Sequence, residues 1–227
     1  MEGNHLRLVT VDFDGTLFQG DSFNLMFKLG RKKFGISEWV TVIIGSIESA
    51  ILGIFKGKNA LRKHFFKTFA KTFKGKTQQE LETFFDHLIE LGNDDINQSL
   101  INQIKEHQAQ GNHVMILSGA LRPFLEALTE RLELEVTIIG TNLIYGLDGK
   151  CTGETGAFIN GDAKVAAVNN WLEELGKNAI ETEIWAYADS ESDIPLLRFS
   201  DHAIIVNPNE KMRVIAEGNN WPVFGEQ

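Results

Sequence analysis

The chain has 227 residues, 43% of them hydrophobic and 23% charged, enough to bury a sizeable core as one large domain or a domain plus a smaller one. Its 31 acids against 22 bases give a net charge of −9, which excludes a nucleic-acid binder by overall electrostatics. A single cysteine, Cys151, excludes an internal disulfide and suits a cytoplasmic location, and the opening MEGNHLRL lacks the basic start and apolar stretch of a signal peptide.

The first element is Leu6 to Leu17, LRLVTVDFDGTL, in which an apolar, β-branched run passes into Asp12 and Asp14 and then Gly15. Carboxylates are seldom buried unless they are paired or hold a metal, and in open α/β sheets ligands sit at this end of a strand. Residues i and i+2 share one side of a strand, so the two carboxylates can converge on a hard cation such as Mg²⁺. An Asp-Gly turn is the plain alternative. An EF-hand is excluded, because its twelfth position, counted from Asp12, is Phe23 rather than Glu.

From about Asp21 to Gly111 the pattern is helical throughout. Asp21 or Ser22 caps a first helix to Phe34, and Ser37 a second to Phe55. A third carries Leu61, Phe65, Phe69 and Phe73 at a spacing of four, from about Asn59. Thr77 and Glu80 form a capping box for a fourth, and Asp94 or Asp95 opens a fifth that Gly111 ends. The apolar stretch Trp39 to Phe55 is about a turn short of a ~20-residue span and carries Glu48, which argues for a helix of a small bundle and against stable membrane insertion. Residues 56–76 hold eight Lys or Arg and no acid. Such a block is either a solvated face or a cationic rim for an anionic, even amphiphilic, phosphoester.

Strand patterning returns at His113 to Leu117, ending at Ser118-Gly119. A helix over about Arg122 to Arg131 follows, then a strand over Val136 to Ile139. Asp148-Gly149 turns a hairpin between Leu143–Leu147 and Lys150–Thr152. A helix from Asp162 to Leu175 leads to a strand over Ile184 to Ala188 that ends at Asp189. A short helix over Ile194 to Phe199, a strand over Ala203 to Val206 and a helix from about Pro208 to Glu217 complete the pattern. Alternating strands and helices predict an α/β fold: a Rossmann-like parallel sheet with helices on both faces, plus an inserted all-helical cap and the small hairpin. The predicted domains are a core of residues 1–18 with 112–227 and a cap of residues 19–111.

Three strands thus end in polar residues along one edge: Asp12 and Asp14, Ser118, and Asp189. Asp12, the Asp14 carbonyl and Asp189 would supply oxygen ligands to Mg²⁺, with Asp193 one helical turn beyond Asp189. Ser118 and the Gly119 N–H, where the strand opens a helix, can donate to an anion, and Lys164 can neutralise one. Singly, these residues read as turns, caps and solvated charges. Together they supply the parts of phosphoryl transfer.

DFDGTL at Asp12 to Leu17, the apolar run ending at Ser118-Gly119, Lys164, and ADSESDIPLL at Ala188 to Leu197 resemble, in this order, the four motifs of the haloacid dehalogenase-like hydrolase superfamily. The likeness is to its phosphoserine-phosphatase-like branch, with a helical cap between the first and second motifs. It implies a Mg²⁺-dependent phosphatase of small phosphomonoesters. Asp12 would attack phosphorus and form an aspartyl-phosphate, and Asp14 would act as acid and then base. Ser118 and Lys164 would hold the phosphate, Asp189 the metal, and Asp193 the metal shell. Asp14 argues against a dehalogenase, whose branch lacks that acid. Ala188 stands where the family usually has Gly. In phosphoserine phosphatases a cap Glu and a cap Arg read the amino acid; Asp21 holds the first position and Arg62 is the counterpart of the second. A phosphotransferase or phosphomutase on the same intermediate is the neighbouring enzyme reading. A receiver-type phospho-switch is the non-enzyme one, disfavoured by the long helical insertion.

Overall fold

The computed structural model describes residues 6–56 and 58–225, with the side chains of residues 52, 53, 56, 58, 59 and 62 outside that description. The expectation about a signal peptide and the role given to the Arg62 side chain therefore lie outside the described residues. After β1 (Leu6–Val11) come α1 (Ser22–Lys33), α2 (Ile36–Lys56), α3 (Lys58–Lys71), α4 (Gln78–Gly92) and α5 (Gln98–Ala109). Then follow β2 (His113–Leu121), α6 (Arg122–Arg131), β3 (Thr137–Thr141) and the strands β4 (Leu143–Tyr145) and β5 (Cys151–Thr155). The rest is α7 (Asp162–Glu174), β6 (Thr182–Ala188), α8 (Ile194–Phe199), β7 (His202–Ile205) and α9 (Glu210–Asn219).

The fold is α/β. β1 is the centre of a five-stranded parallel sheet in the order β3-β2-β1-β6-β7, and β4 and β5 pair as a small antiparallel hairpin. Alternation along the strands feeds two cores. Val9, Val11, Val114 and Ile116 face α5 and α6, whereas Leu8, Met115, Leu117 and Ile184 face α7, α8 and α9. Both faces are covered, which is why these strands read as continuous apolar runs. The chain leaves β1 toward β2 on one side and later returns to β6 on the other. The switch point, where open α/β sheets bind ligands, is therefore at the C-terminal end of β1.

Several boundaries differ from the predicted ones by a residue or two; α2 starts at Ile36, so Ser37 lies inside it rather than capping it, and two further differences have a clear cause. β2 does not stop at Leu117 but stays extended through Ser118 to Leu121, with an irregular register against β3, and the Thr141 hydroxyl donates to the Gly119 carbonyl (2.8 Å). Helix α6 therefore opens at Arg122, three residues beyond Gly119, and Ser118-Gly119 are not its N-terminus. Helix α5 is capped not by Asp94 or Asp95, which lie in a 3-10 turn, but by Asn97, whose side chain accepts from Leu100 N. Ile96 is held extended by a β-bridge to Phe18, leaving Asn97 as the first free capping position.

Among the helices before β2, α2 and α3 form a hairpin in which Gly45 lets the helices approach. A Cβ at Gly45 would lie 1.9 Å from Thr68 Cγ2. The predicted capping box of α4 is present, with Thr77 N donating to Glu80 Oε2 (2.8 Å) and Glu80 N to Thr77 Oγ1 (3.3 Å). A chain of phenylalanines, Phe34, Phe69, Phe73, Phe84 and Phe85, knits α3 to α4, and Phe85 meets Phe124 of α6. Helix α5 packs on β2, and His107 Nε2 pairs with the Tyr187 hydroxyl of β6 at 2.9 Å.

Candidate active site

Register brings the motif residues together. Val11 pairs with Ile116 on one side and with Tyr187 on the other, so β1, β2 and β6 run out side by side into Asp12, Ser118 and Asp189. Gly15, at φ +85°, turns the chain back tightly beyond Asp12, with Phe18 N donating to Phe13 O (2.9 Å) and Gly15 N to Phe18 O (2.7 Å). This turn lays Gly15 directly over Asp189, leaving no room for a Cβ.

Asp12 is 6% exposed and Lys164, in the first turn of α7, only 2%. Lys164 Nζ donates to Asp12 Oδ1 at 2.6 Å and to Asp193 Oδ1 at 2.5 Å. Asp193 is itself buried, and its second oxygen accepts from Ser190 Oγ at 2.6 Å. Asp14 lines the same pocket but its carboxylate is turned to the start of α1, accepting from Ser22 N (2.7 Å) and Ser22 Oγ (2.9 Å). The buried Ser118 hydroxyl accepts from Ala120 N (3.1 Å).

Carboxylate oxygens of Asp12, Asp189 and Asp193 lie within 4.8 Å of one another. Burial raises the Asp12 carboxyl above the usual range and Asp193 adds to this, while Lys164 opposes it. Burial, then the charges of Asp12 and Asp193, push Asp189 up to about 8. Burial alone would lower the Lys164 ammonium, but Asp12 and Asp193 outweigh it and hold the ammonium charged. Three acids therefore share one ammonium, a local excess of negative charge built entirely from hard oxygen donors. That is the deficit a divalent cation of the Mg²⁺ type would fill. The Asp14 carboxylate is not part of this triplet.

The pocket around these groups has a volume of only about 20 Å³. Phe66 of α3 and Phe158, tilted at 35° to each other with ring centroids 5.9 Å apart, line it, and Asn160, Ser190 and Ser192 complete the wall. None of these five was a predicted site residue. Phe66 falls off the four-residue stripe of α3, a sign that it faces something other than the helical core. Of the predicted residues, Asp12, Asp14, Ser118, Gly119, Lys164 and Asp193 line this pocket, and Asp189 joins through the carboxylate cluster. Asp21 is not among its lining residues; it caps α1, accepting from Phe23 N (2.9 Å). A larger cleft of about 780 Å³ between α4, α6 and the hairpin contains none of the motif residues, and its Arg122 is tied to Glu126 at 2.6 Å.

Residues 9–198 match the family model described as haloacid dehalogenase-like hydrolase. The chain belongs to the haloacid dehalogenase-like hydrolase family. Among relatives of this chain, a histidinol-phosphatase of Neisseria meningitidis is 30% identical over 123 residues, covering 53% of this chain and 55% of that one. The chain spans about half, or less, of the length of the curated relatives it matches. In structure it is similar to a protein of unknown function from Bordetella pertussis, with TM-score 0.82, 20% identity and coverage of 97% and 98%. It is also similar to a substrate-bound phosphoserine phosphatase, with TM-score 0.62, 17% identity and coverage of 97% and 93%. These likenesses agree with the α/β fold read from the sequence.

Proposed function

We propose that this hydrolase cleaves small phosphate monoesters through a covalent aspartyl-phosphate on Asp12. The observation that carries this reading is the Asp12 carboxylate, buried at a strand end, fixed by Lys164 at 2.6 Å and facing a pocket also lined by Asp14 and Ser118. A carboxylate so held presents one oxygen for in-line attack. Asp12 attacks phosphorus while the ester P–O bond breaks, and Asp14, in its protonated form, gives its proton to the departing alkoxide. Water then attacks the phosphoryl group and gives a proton to Asp14, the Asp12–phosphorus bond breaks, and inorganic phosphate leaves. Lys164 and the Ser118 hydroxyl donate to the phosphoryl oxygens, where negative charge accumulates. Mg²⁺, held by Asp12 and Asp189 with Asp193 behind them, would neutralise the phosphate when bound.

A phosphate ester does not fit a pocket of about 20 Å³, so Phe66 and Phe158 separate for entry. The chain then divides into an α/β core and an inserted cap over residues 19–111. Within that insertion α5 serves the sheet by packing on β2, whereas α3 carries Phe66 to the site. The names of the relatives point to phosphates of amino alcohols and hydroxy amino acids.

The test is phosphate release from a panel containing histidinol phosphate, phosphoserine and longer-chain phosphomonoesters, with Mg²⁺ and with a chelator. Release that needs Mg²⁺ and disappears in Asp12→Asn is the expected result. Turnover surviving in Asp12→Asn overturns the assignment.

A further inference from the structure

Helix α2 buries one side and leaves the other bare. Val42, Gly45 and Ser49 face the interior, with Ser49 Oγ against His64 Nδ1 of α3 at 2.9 Å. On the opposite face Ile36, Val40, Ile43, Ile47, Ile51 and Ile54 follow one another at intervals of three and four, and Ile44 and Phe55 widen the stripe. All eight are between 50% and 87% exposed. Large exposed apolar side chains elsewhere among the described residues are scattered, such as Ile144, Leu175 and Val214. An apolar strip about 30 Å long, at 1.5 Å per residue over the 21 residues of α2, is far more than a soluble surface leaves open without a partner.

Charge identifies the partner. Between residues 22 and 76 there are twelve Lys or Arg and two acids, although the whole chain is at −9. The basic residues bracket the stripe. Exposed Arg31, Lys32 and Lys33 close α1 just before α2 begins, Lys56 and Lys58 stand at its other end in sequence, and exposed Lys63 and Lys67 follow along α3. Of the two acids, Glu48 lies 3.6 Å from His64 Nε2, and Glu38 accepts from the Ser37 hydroxyl. Pairing α2 with a second copy of itself sets basic end against basic end whether the helices run parallel or antiparallel. An anionic surface meets both ends. No helix of the described residues is long and apolar enough to cross a membrane, so α2 would lie in the interface plane.

We propose that α2 is an interfacial helix that docks this protein on an anionic lipid bilayer. The isoleucine stripe enters the boundary between headgroups and acyl chains, and the flanking lysines and arginines meet lipid phosphates. The docked face is one helix away from the pocket, because α3, packed on α2 at Gly45, carries Phe66 into it. The docking does not depend on the reaction at Asp12.

The test is co-sedimentation of the full chain with vesicles of phosphatidylcholine alone and of phosphatidylcholine containing about one-third phosphatidylglycerol, at ~0.1 M and ~1 M salt. Binding to the anionic vesicles, weakened by salt, is expected. The double change Ile43→Glu with Ile47→Glu should cut partitioning by about tenfold or more, as should Lys63→Glu with Lys67→Glu. The isoleucine variant should keep its melting temperature and its activity on soluble esters; Ile43→Ser with Ile47→Ser is the milder form if it does not fold. Absence of vesicle binding, equal binding to neutral vesicles, or a dimer in light scattering that the isoleucine variants dissolve would each overturn the proposal, the last in favour of a second copy.

Discussion

Replacing Gly15 by alanine probes the contact between the turn after Asp12 and the Asp189 carboxylate. An added Cβ would lie 2.2 Å from Asp189 Oδ2 and 2.5 Å from its Cγ, where real Cβ contacts are not found below 3.0 Å. The carboxylate must therefore retreat by about 0.8 Å, from 2.2 to 3.0 Å, or the turn carrying Asp12 and Asp14 must lift by as much. A misplacement of ~1 Å in a reacting geometry costs on the order of 10²-fold in rate. The φ of +85° adds about 1–2 kcal/mol of backbone strain for alanine. At about 2–4 °C per kcal/mol for a chain of this size, the melting temperature falls by about 2–8 °C. Gly149 separates the two effects, since it has φ +73° but nothing within 4 Å of an added Cβ. Gly149→Ala should show the strain without the kinetic loss. The assay is kcat/KM for phosphate release together with the Mg²⁺ concentration for half activity, measured for both variants beside their melting curves. Gly15→Ala with wild-type kcat/KM and unchanged Mg²⁺ dependence would refute the placement of Asp189 in the working site.

Other consequences are as direct. Lys164→Met leaves Asp12 and Asp193 buried without their shared cation and should cost about 3–5 kcal/mol of stability in urea denaturation, along with the activity. Asp189→Asn should raise the Mg²⁺ needed for half activity by about 10–100-fold while the chain stays folded, and added chelator should stop wild-type turnover reversibly. His107, held neutral between Asn112 and Tyr187, has its pKa lowered below 6.5, chiefly by burial. Its contribution to stability is complete above about pH 6.5 and is lost as pH falls through the folded-state value, so His107→Gln should flatten the decline of the urea midpoint between about pH 7 and 5. His113, also lowered by burial, keeps part of that slope. Gly45→Val should lower the melting temperature, because its first carbon already falls 1.9 Å from Thr68 and the forced separation of α2 and α3 costs about 1–3 kcal/mol.

The sheet and its edge were readable because each strand is an apolar run stopped by a polar residue, at Asp12, Ser118 and Asp189. Two-sided burial makes such runs continuous, and the right-handed crossover rule leaves few ways to arrange them. Register was not readable, and the misplaced end of β2 follows from that. Ser118 and Gly119 have the composition of a turn, yet pairing of Leu121 with Thr141 continues the strand beyond them, and the Thr141 hydroxyl donates to the Gly119 carbonyl. Asp94 and Asp95 looked like caps for the same local reason, until the bridge between Phe18 and Ile96 moved the helix start to Asn97. Of the site, the residues whose chemistry is unusual for a strand end or a helix start could be named. Side-chain direction could not. Asp21 caps α1, as one of its two sequence readings has it, and is not among the residues lining the pocket, and Phe158 looks like any core aromatic until the fold sets it beside Phe66 at the pocket.

The central claim is that Asp12 carries the phosphoryl group. Borohydride reduction during turnover converts an acyl-phosphate to an alcohol, so peptide mass spectrometry should find homoserine at position 12, present only with substrate and absent in Asp12→Asn. Homoserine at another position, or none while phosphate is being released, would contradict the account.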